Sequence, residues 1–418
     1  MAPKSREEIR IVACLFLVLF IGVADNQILS PLLPAIRNQF ERSSSEMGYL
    51  FSGYAFCAGL SVLFWGPLSD AFGRKQGLLY GLVGFAAGSV TTFLSTGFFA
   101  LLAGRIVTGM GASMLSLNSI SYAADFFPYA NRGWAMGSIL SSYFAALILG
   151  VPLGSFIGDR FGWKMVFGIM AGMALTLFIV IYCILPDIHP KADRKTNTPL
   201  IAYIRQYAGF LKSQRYLAAL SCSFFASAGT MGFLAFLGSW LHDSFGVTTS
   251  KIGLVFLISG SAAVLASPLA GSMADKIGKR IQFVFSSIFL ALFLFILPGM
   301  PWGVPLFAVF GLISLSAAFR QGPMEAVLTE IVPSASRGSF VALKNSFSQL
   351  GIGLATLFSG ILFEAGGYRA VCFLGATLGL LAAASMLLTT EAVVSELPKK
   401  DNCCSKQGMP NPMIGGDY

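Results

Sequence analysis

The chain has 418 residues, 55% of them hydrophobic and only 11% charged, with 46 glycines, 38 phenylalanines and a net charge of +9. Soluble domains carry about 25% charged residues, so an ordinary soluble enzyme, a disordered chain, collagen and a coiled coil are excluded together. What remains is a polytopic helical membrane protein, whose spanning helices each need ~20 mostly apolar residues.

Twelve apolar segments follow one another, at 11–34, 47–68, 77–95, 98–124, 133–157, 163–185, 216–240, 250–272, 281–298, 303–329, 338–362 and 368–389. The first follows Lys4, Arg6 and Arg10 in the manner of a signal peptide. No small-residue cleavage site follows, and the apolar run continues past Asp25 to Pro34, so it reads as a retained first helix. An even number of spans puts both termini on one face. With that face in the cytoplasm, nineteen of the 28 Lys and Arg fall in inner loops and tails and six in outer loops, the bias of the positive-inside rule. The basic excess thus belongs to topology, and no nucleic-acid partner is expected.

The longest connection, 186–215, is polar first. Thr198–Pro199 then opens a short amphipathic helix, with Leu200, Ile204, Tyr207, Ala208 and Leu211 on one face and Arg205, Lys212 and Arg215 on its basic side. The chain divides into a six-helix bundle at 1–185, this cytoplasmic linker at 186–215, a second bundle at 216–392 and a cytoplasmic tail at 393–418. Five of the seven cysteines lie in apolar segments and no CxxC pair occurs, so neither metal, disulfide nor cofactor is expected. The tail pair Cys403–Cys404 reads either as a lipidation site or as an unremarkable tail. No Gly-x-x-x-x-Gly-Lys-[Ser/Thr] loop occurs, which argues against an ATP-driven pump.

The sequence repeats on itself with an offset of 205 residues. Asp70, Gly73, Arg74 and Lys75 meet Asp275, Gly278, Lys279 and Arg280. Asp125, Pro128, Arg132 and Gly133 meet Glu330, Pro333, Arg337 and Gly338; Gly162, Trp163 and Lys164 meet Gly367, Tyr368 and Arg369; Ser45 and Gly48 meet Ser250 and Gly253. These are charged, Pro and Gly residues at loop edges, which composition does not match by chance. A repeat after six spans means two parallel six-helix halves related by an axis along the membrane normal.

The loop after the second segment reads Gly66-Pro67-Leu68-Ser69-Asp70-Ala71-Phe72-Gly73-Arg74-Lys75, and a weaker copy runs from Gly271 through Asp275 and Gly278 to Lys279-Arg280. Glycine, three residues, aspartate, two residues, glycine and two basic residues resemble the signature of the major facilitator superfamily. With twelve spans and the repeat, the resemblance covers nearly the whole chain. It implies an all-α fold of twelve transmembrane helices in two pseudo-symmetric six-helix bundles, with no enzymatic activity. It also implies that Gly66, Asp70, Gly73, Arg74 and Lys75, with Asp125, Arg132, Asp275, Gly278, Lys279, Arg280, Glu330 and Arg337, form a gate or cytoplasmic latch favouring the outward-open state. The plain alternative is that the basic residues only set topology.

Charges inside spans are functional hypotheses by default, because an ionised group at mid-membrane is costly. Asp25, followed by Asn26 and Gln27, lies ~9 Å below the outer boundary of span one, and Arg105 lies ~10 Å below it in span four, at 1.5 Å rise per residue. The depths agree, and a pair between them is expected. Burial raises a carboxyl pKa and a cation lowers it, so a change in pairing can bind or release a proton. Against this stand a static structural pair and an aspartate facing a wet cavity without titrating. The run Arg105-Ile106-Val107-Thr108-Gly109-Met110-Gly111-Ala112 matches the family's span-four arginine, tied in proton-linked members to proton handling.

In the second half, Arg320, Gln321, Lys344, Asn345 and Gln349 suit a cavity wall for an anionic substrate, or else an inner charge network. Asn118 and Tyr122 of span four join Asn26 and Gln27 as candidate substrate contacts. Glu325 is five residues from Arg320, a poor spacing for an intrahelical pair. Gly150, Pro152 and Gly154 form a span-five hinge resembling that of efflux members, although Val151 separates Gly150 from Pro152. His242 and Asp243 read as solvated. The expectation is proton-coupled efflux of a small amphiphilic molecule by a monomer in a lipid bilayer, through alternating access. The alternative is proton-coupled transport of an organic anion. The resemblance points to a bacterial inner membrane with both termini cytoplasmic.

Overall fold

A computed structural model of the chain describes residues 5–187, 200–333 and 336–395, apart from the side chains of residues 67, 70, 71, 129, 130, 200–202, 329 and 390–395. The Asp70 side chain, the polar part of the central connection and the tail with Cys403 and Cys404 therefore lie outside the described residues.

All described secondary structure is helical. The first half runs α1 (Arg6–Phe40), α2 (Ser44–Phe72), α3 (Arg74–Phe93) and α4 (Phe98–Phe126). Its fifth span is broken into α5 (Tyr129–Leu140), α6 (Ser142–Ala145), a π turn (Ala146–Gly150) and α7 (Val151–Phe161), and α8 (Trp163–Ile184) completes it. The amphipathic α9 (Leu200–Lys212) leads to α10 (Gln214–Phe245), α11 (Thr249–Ile277), α12 (Lys279–Ile296), α13 (Val304–Glu330) and α14 (Arg337–Ser395). Gly367, at φ 66°, divides α14 into the eleventh and twelfth helices. Among the described residues ten helices are long and apolar enough to cross a membrane, with α14 counted once and the 20-residue α3 not among them. Leu265, Leu269 and Phe285, each more than half exposed, belong to the apolar belt that such helices turn to lipid.

Local chemistry explains several boundaries. Capping boxes start α1 and α2: Ser5 and Glu8, then Ser43 and Glu46, each exchange backbone-to-side-chain bonds of 3.0–3.2 Å. Unlike the expected span, α1 continues through Pro31 and Pro34 to Phe40. Its buried packing on other helices outweighs the hydrogen bonds that the two prolines lack. In span five the Val151 N–H bonds to the Ala146 carbonyl, a wider turn just before Pro152, which has no N–H to donate. The positive-φ glycines honour the repeat: Gly73 and Gly278 at 96° and 98°, Gly162 and Gly367 at 86° and 66°.

The two halves join mainly at one end. One hydrophobic core holds Ile28, Leu32, Phe51 and Phe98 of the first half together with Phe233, Phe236, Trp240 and Phe256 of the second. Towards the face carrying the N-terminus there are two cores instead. One is built around Leu15, Leu82, Phe85 and Tyr122, the other around Leu220, Phe283, Met324 and Phe340. Glycines on α2 and α11 trace the same divergence. At the joined end Gly48 faces the Thr356 carbonyl, where a built Cβ would sit 3.0 Å away, and Gly253 faces Ser155, at 2.7 Å. At the other end of the same helices, Gly66 and Gly271 have nothing within 4 Å. Gly66, expected in the latch, is therefore not a close-packing point in this conformation.

Candidate functional site

The charges expected at mid-membrane meet. Arg105 Nη1 donates to both carboxylate oxygens of Asp25, at 2.9 and 2.8 Å, and both side chains are fully buried. α4 carries the guanidinium in because small residues let its neighbours close on it. A Cβ built on Gly109 would lie 2.5 Å from the Tyr54 carbonyl oxygen. Tyr54 then lays its ring 4.8 Å from the Arg105 guanidinium, with Phe167 on α8 at 5.6 Å. Asn26 Oδ1 and Arg105 Nε are buried without a hydrogen-bond partner among the described residues. Gln27 reaches α10 instead, 4.0 Å from Met231 Sδ.

Span five fixes the helix that carries Asp25. Gly150, Gly154 and Gly158 face Ala24, Ile28 and Leu32 of α1, four residues apart on both helices. Gly150, Pro152 and Gly154 thus join two features: a close-packed ladder and a π turn beside it.

The terminal-face motif forms a network within each half. Arg74 Nε donates to Asp125 at 3.1 Å, and Arg74 Nη1 to Ser69 Oγ at 3.0 Å. Ser69 Oγ donates to Asn118 Oδ1, and Asn118 Nδ2 to the Met114 carbonyl at 2.8 Å. Lys75 lies 3.7 Å from Asp187, and Arg132 reaches the Phe127 carbonyl at 3.4 Å. In the second half Lys279 pairs with Glu330, the repeat counterpart of Arg74 with Asp125. Asp275 and Arg337 are exposed, and Arg280 is half-exposed. Two expected substrate contacts lie elsewhere. Asn118 is consumed by this network, and Tyr122 is buried with its hydroxyl on the Pro186 carbonyl at 2.9 Å.

The cations of the second half are not open to a cavity as a pair. Lys344 Nζ donates to both oxygens of Glu325 at 2.6 Å, a partner on α13 that sequence spacing did not offer. Arg320 Nη2 donates to the Ala226 carbonyl at 2.9 Å and to Thr230 Oγ1, while its buried Nη1 has no hydrogen-bond partner among the described residues. Thr230 stands at the repeat position of Asp25. Gln321 is exposed, and Asn345 and Gln349 are half-buried, with Gln349 packed at Gly59 of α2.

A clasp at the joined end was not anticipated. Ser45 Oγ donates to Glu364 at 2.5 Å, and Ser250 Oγ to Asp159 at 2.6 Å. The two bonds are repeat equivalents, since Ser45 maps to Ser250 and Asp159 to Glu364. Asp243, read as solvated, forms with Arg37 a two-bond pair between halves at 2.9 and 2.7 Å. The offset aligns the two serines and the two acids, but it does not show that they bond across the halves.

Comparisons with known proteins agree with this architecture. The chain is 26% identical over 393 residues to the MFS-type transporter YceJ of Bacillus subtilis (strain 168), covering 94% of this chain and 98% of that protein. It is 26% identical to a probable sugar efflux transporter of Helicobacter pylori (strain G27), over 84% of this chain and 88% of that one. Its fold superposes on a crystal structure of a D-xylose-proton symporter with a TM-score of 0.74 at 19% identity, covering 90% of this chain and 97% of that one. The family model described as the Major Facilitator Superfamily matches residues 15–248 and 219–402. With its two repeat-related bundles and their shared signature loops, the chain belongs to the Major Facilitator Superfamily, a family of membrane transporters and not enzymes.

Proposed function

We propose that this transporter couples export of a small neutral or amphiphilic metabolite to proton entry. The observation that carries the reading is the Asp25–Arg105 pair, sealed from solvent inside one half and satisfied by little beyond itself. A carboxylate held only by a movable cation takes a proton when the pairing changes. With the terminal face in the cytoplasm of a bacterial cell, the conformation joined at the opposite end is inward-open, the state that loads an exported substrate. The probable sugar efflux relatives support a small polar or amphiphilic cargo.

The test uses proteoliposomes enclosing a pH dye, with sugars, nucleosides, amphiphilic drugs and carboxylates added outside one at a time. Alkalinisation of the lumen as a compound enters is the expected result, because protons leave in exchange. Acidification would make the protein a symporter and overturn the reading. Asp25→Asn abolishes the proton signal while substrate-for-substrate exchange persists; an unchanged proton signal would remove Asp25 from coupling.

Transport of an organic anion is the second reading, favoured by the buried Nη1 of Arg320, which has no hydrogen-bond partner among the described residues. It loses ground because Glu325 already neutralises Lys344. Loss of carboxylate transport but not sugar transport in Arg320→Gln would restore it.

A further inference from the structure

A carboxylate exchanges protons with solvent only where solvent reaches it, and Asp25 is fully buried beside an equally buried Arg105. The cover over the pair has identifiable parts. Arg105 faces Asp25 from α4, Tyr54 of α2 lays its ring 4.8 Å from the guanidinium, and Phe167 of α8 stands at 5.6 Å. Tyr54 is the part of this cover that borders open space. It is itself buried, but the half-buried Asn26 side chain lies beside its hydroxyl, and the exposed Tyr143 of α6 is within its electrostatic reach. Tyr143 in turn feels Glu325 across the gap between the halves. The order inward from that gap is therefore Tyr143 and Asn26, then Tyr54, then the ion pair. Asn26 Oδ1 and Arg105 Nε, an acceptor and a donor without hydrogen-bond partners among the described residues, flank the ring. They are groups that water would satisfy once the ring moved.

α2 also ties this cover to the contact between halves. Phe56, two residues beyond Tyr54, presses on Gly353 of α14, where a built Cβ would lie 2.7 Å from the Phe56 ring. The same turn of α2 thus covers the ion pair in its own half and touches the other half. We propose that Tyr54 is a positioning residue that gates proton access to Asp25, its ring sealing the pair until α2 shifts against α4 and α14. With the ring lifted, hydronium in the cavity gives its proton to the carboxylate oxygen that Arg105 Nη1 releases, and water remains. The inference rests on the reading of Asp25 as the coupling group.

Rapid-mixing infrared spectroscopy of the full chain in proteoliposomes tests this. The protonated-carboxyl band that Asp25→Asn removes belongs to Asp25, and its isotope shift after mixing into D2O times the access of solvent. Tyr54→Phe keeps the ring on the guanidinium and is expected to exchange as slowly as the wild type. Tyr54→Ala opens the seal and speeds exchange roughly tenfold or more, the loss of a protecting opening step. Its band also moves to the position of a hydrated carboxyl. Tyr54→Leu, which fills part of the space without a planar face, gives the same direction of change should the alanine variant not fold. Exchange at the wild-type rate in Tyr54→Ala or Tyr54→Leu overturns the gate and leaves the coupling reading standing. Exchange in Tyr54→Phe as fast as in Tyr54→Ala would assign the control to the hydroxyl and overturn the ring seal. A spectrum with no pH-dependent band removed by Asp25→Asn would overturn the coupling reading itself, and the gate with it.

Discussion

Asp25 and Arg105 are fully buried and close, yet their geometry is incomplete. One nitrogen, Nη1, serves both carboxylate oxygens, and Nε finds no partner among the described residues. A buried pair is costly to build, but removing one partner is costlier, about 3–5 kcal/mol, because the other charge is stranded. Arg105→Met alone is therefore expected to lower stability by about that amount. The double variant Arg105→Met/Asp25→Asn, with no stranded charge, recovers most of it. Thermal unfolding of the purified variants measures the difference, and a double variant no more stable than Arg105→Met would show that the two side chains are not energetically coupled. Lys344 follows the same logic with Glu325, whose side chain is 40% exposed, so water screens that pair and a smaller loss follows.

The ladder between α1 and the fifth span turns on residues four apart, where glycine on one helix admits a side chain of the other. A Cβ built on Gly154 collides with Ile28 Cδ1, the flexible end of a fully buried side chain. Gly154→Ala is thus expected to cost about 1–3 kcal/mol by overpacking. Gly154→Ala/Ile28→Val, which deletes the methyl group in the way, recovers most of it. Unfolding temperatures of the two variants decide, and no rescue would mean that the backbone itself is displaced. Elements of this kind mark the limit of what sequence shows. Loop glycines, signature charges and the 205-residue offset were legible because positive φ and loop charge admit few residue types. The pairing of Asp25 with Arg105 was legible from depth, since rise per residue is fixed. Facing was not legible. These helices are apolar on most sides, so no polar stripe says that Asn118 points to Ser69, or that Lys344 meets Glu325 and not a cavity.

At the scale of the whole molecule, the joined end holds two repeat-related serine–carboxylate bonds, the Arg37–Asp243 pair, and glycines that let backbones touch, while Gly66 and Gly271 at the far end meet nothing. Such an arrangement has a counterpart in which the far ends meet and the clasp parts, as alternating access requires. Removing Ser45 and Ser250 hydroxyls singly should shift the balance by similar amounts, because the pseudo-two-fold axis relates their bonds. A bulkier wedge acts more strongly. At Gly253 a built Cβ already lies 2.7 Å from Ser155 Cβ and 3.2 Å from Pro152 Cα, so Gly253→Leu forces the halves apart there. Spin labels on cysteines placed at 160 and 251, beside the clasp, and at 137 and 271, near the terminal face, read both ends, with the native cysteines replaced by serine. If the halves rock as rigid bodies, Gly253→Leu lengthens the 160–251 distance and shortens the 137–271 distance together. Lengthening at the clasp with no change at the terminal face would mean that α11 bends locally at the wedge, and the two-bundle rocking motion would have to be given up.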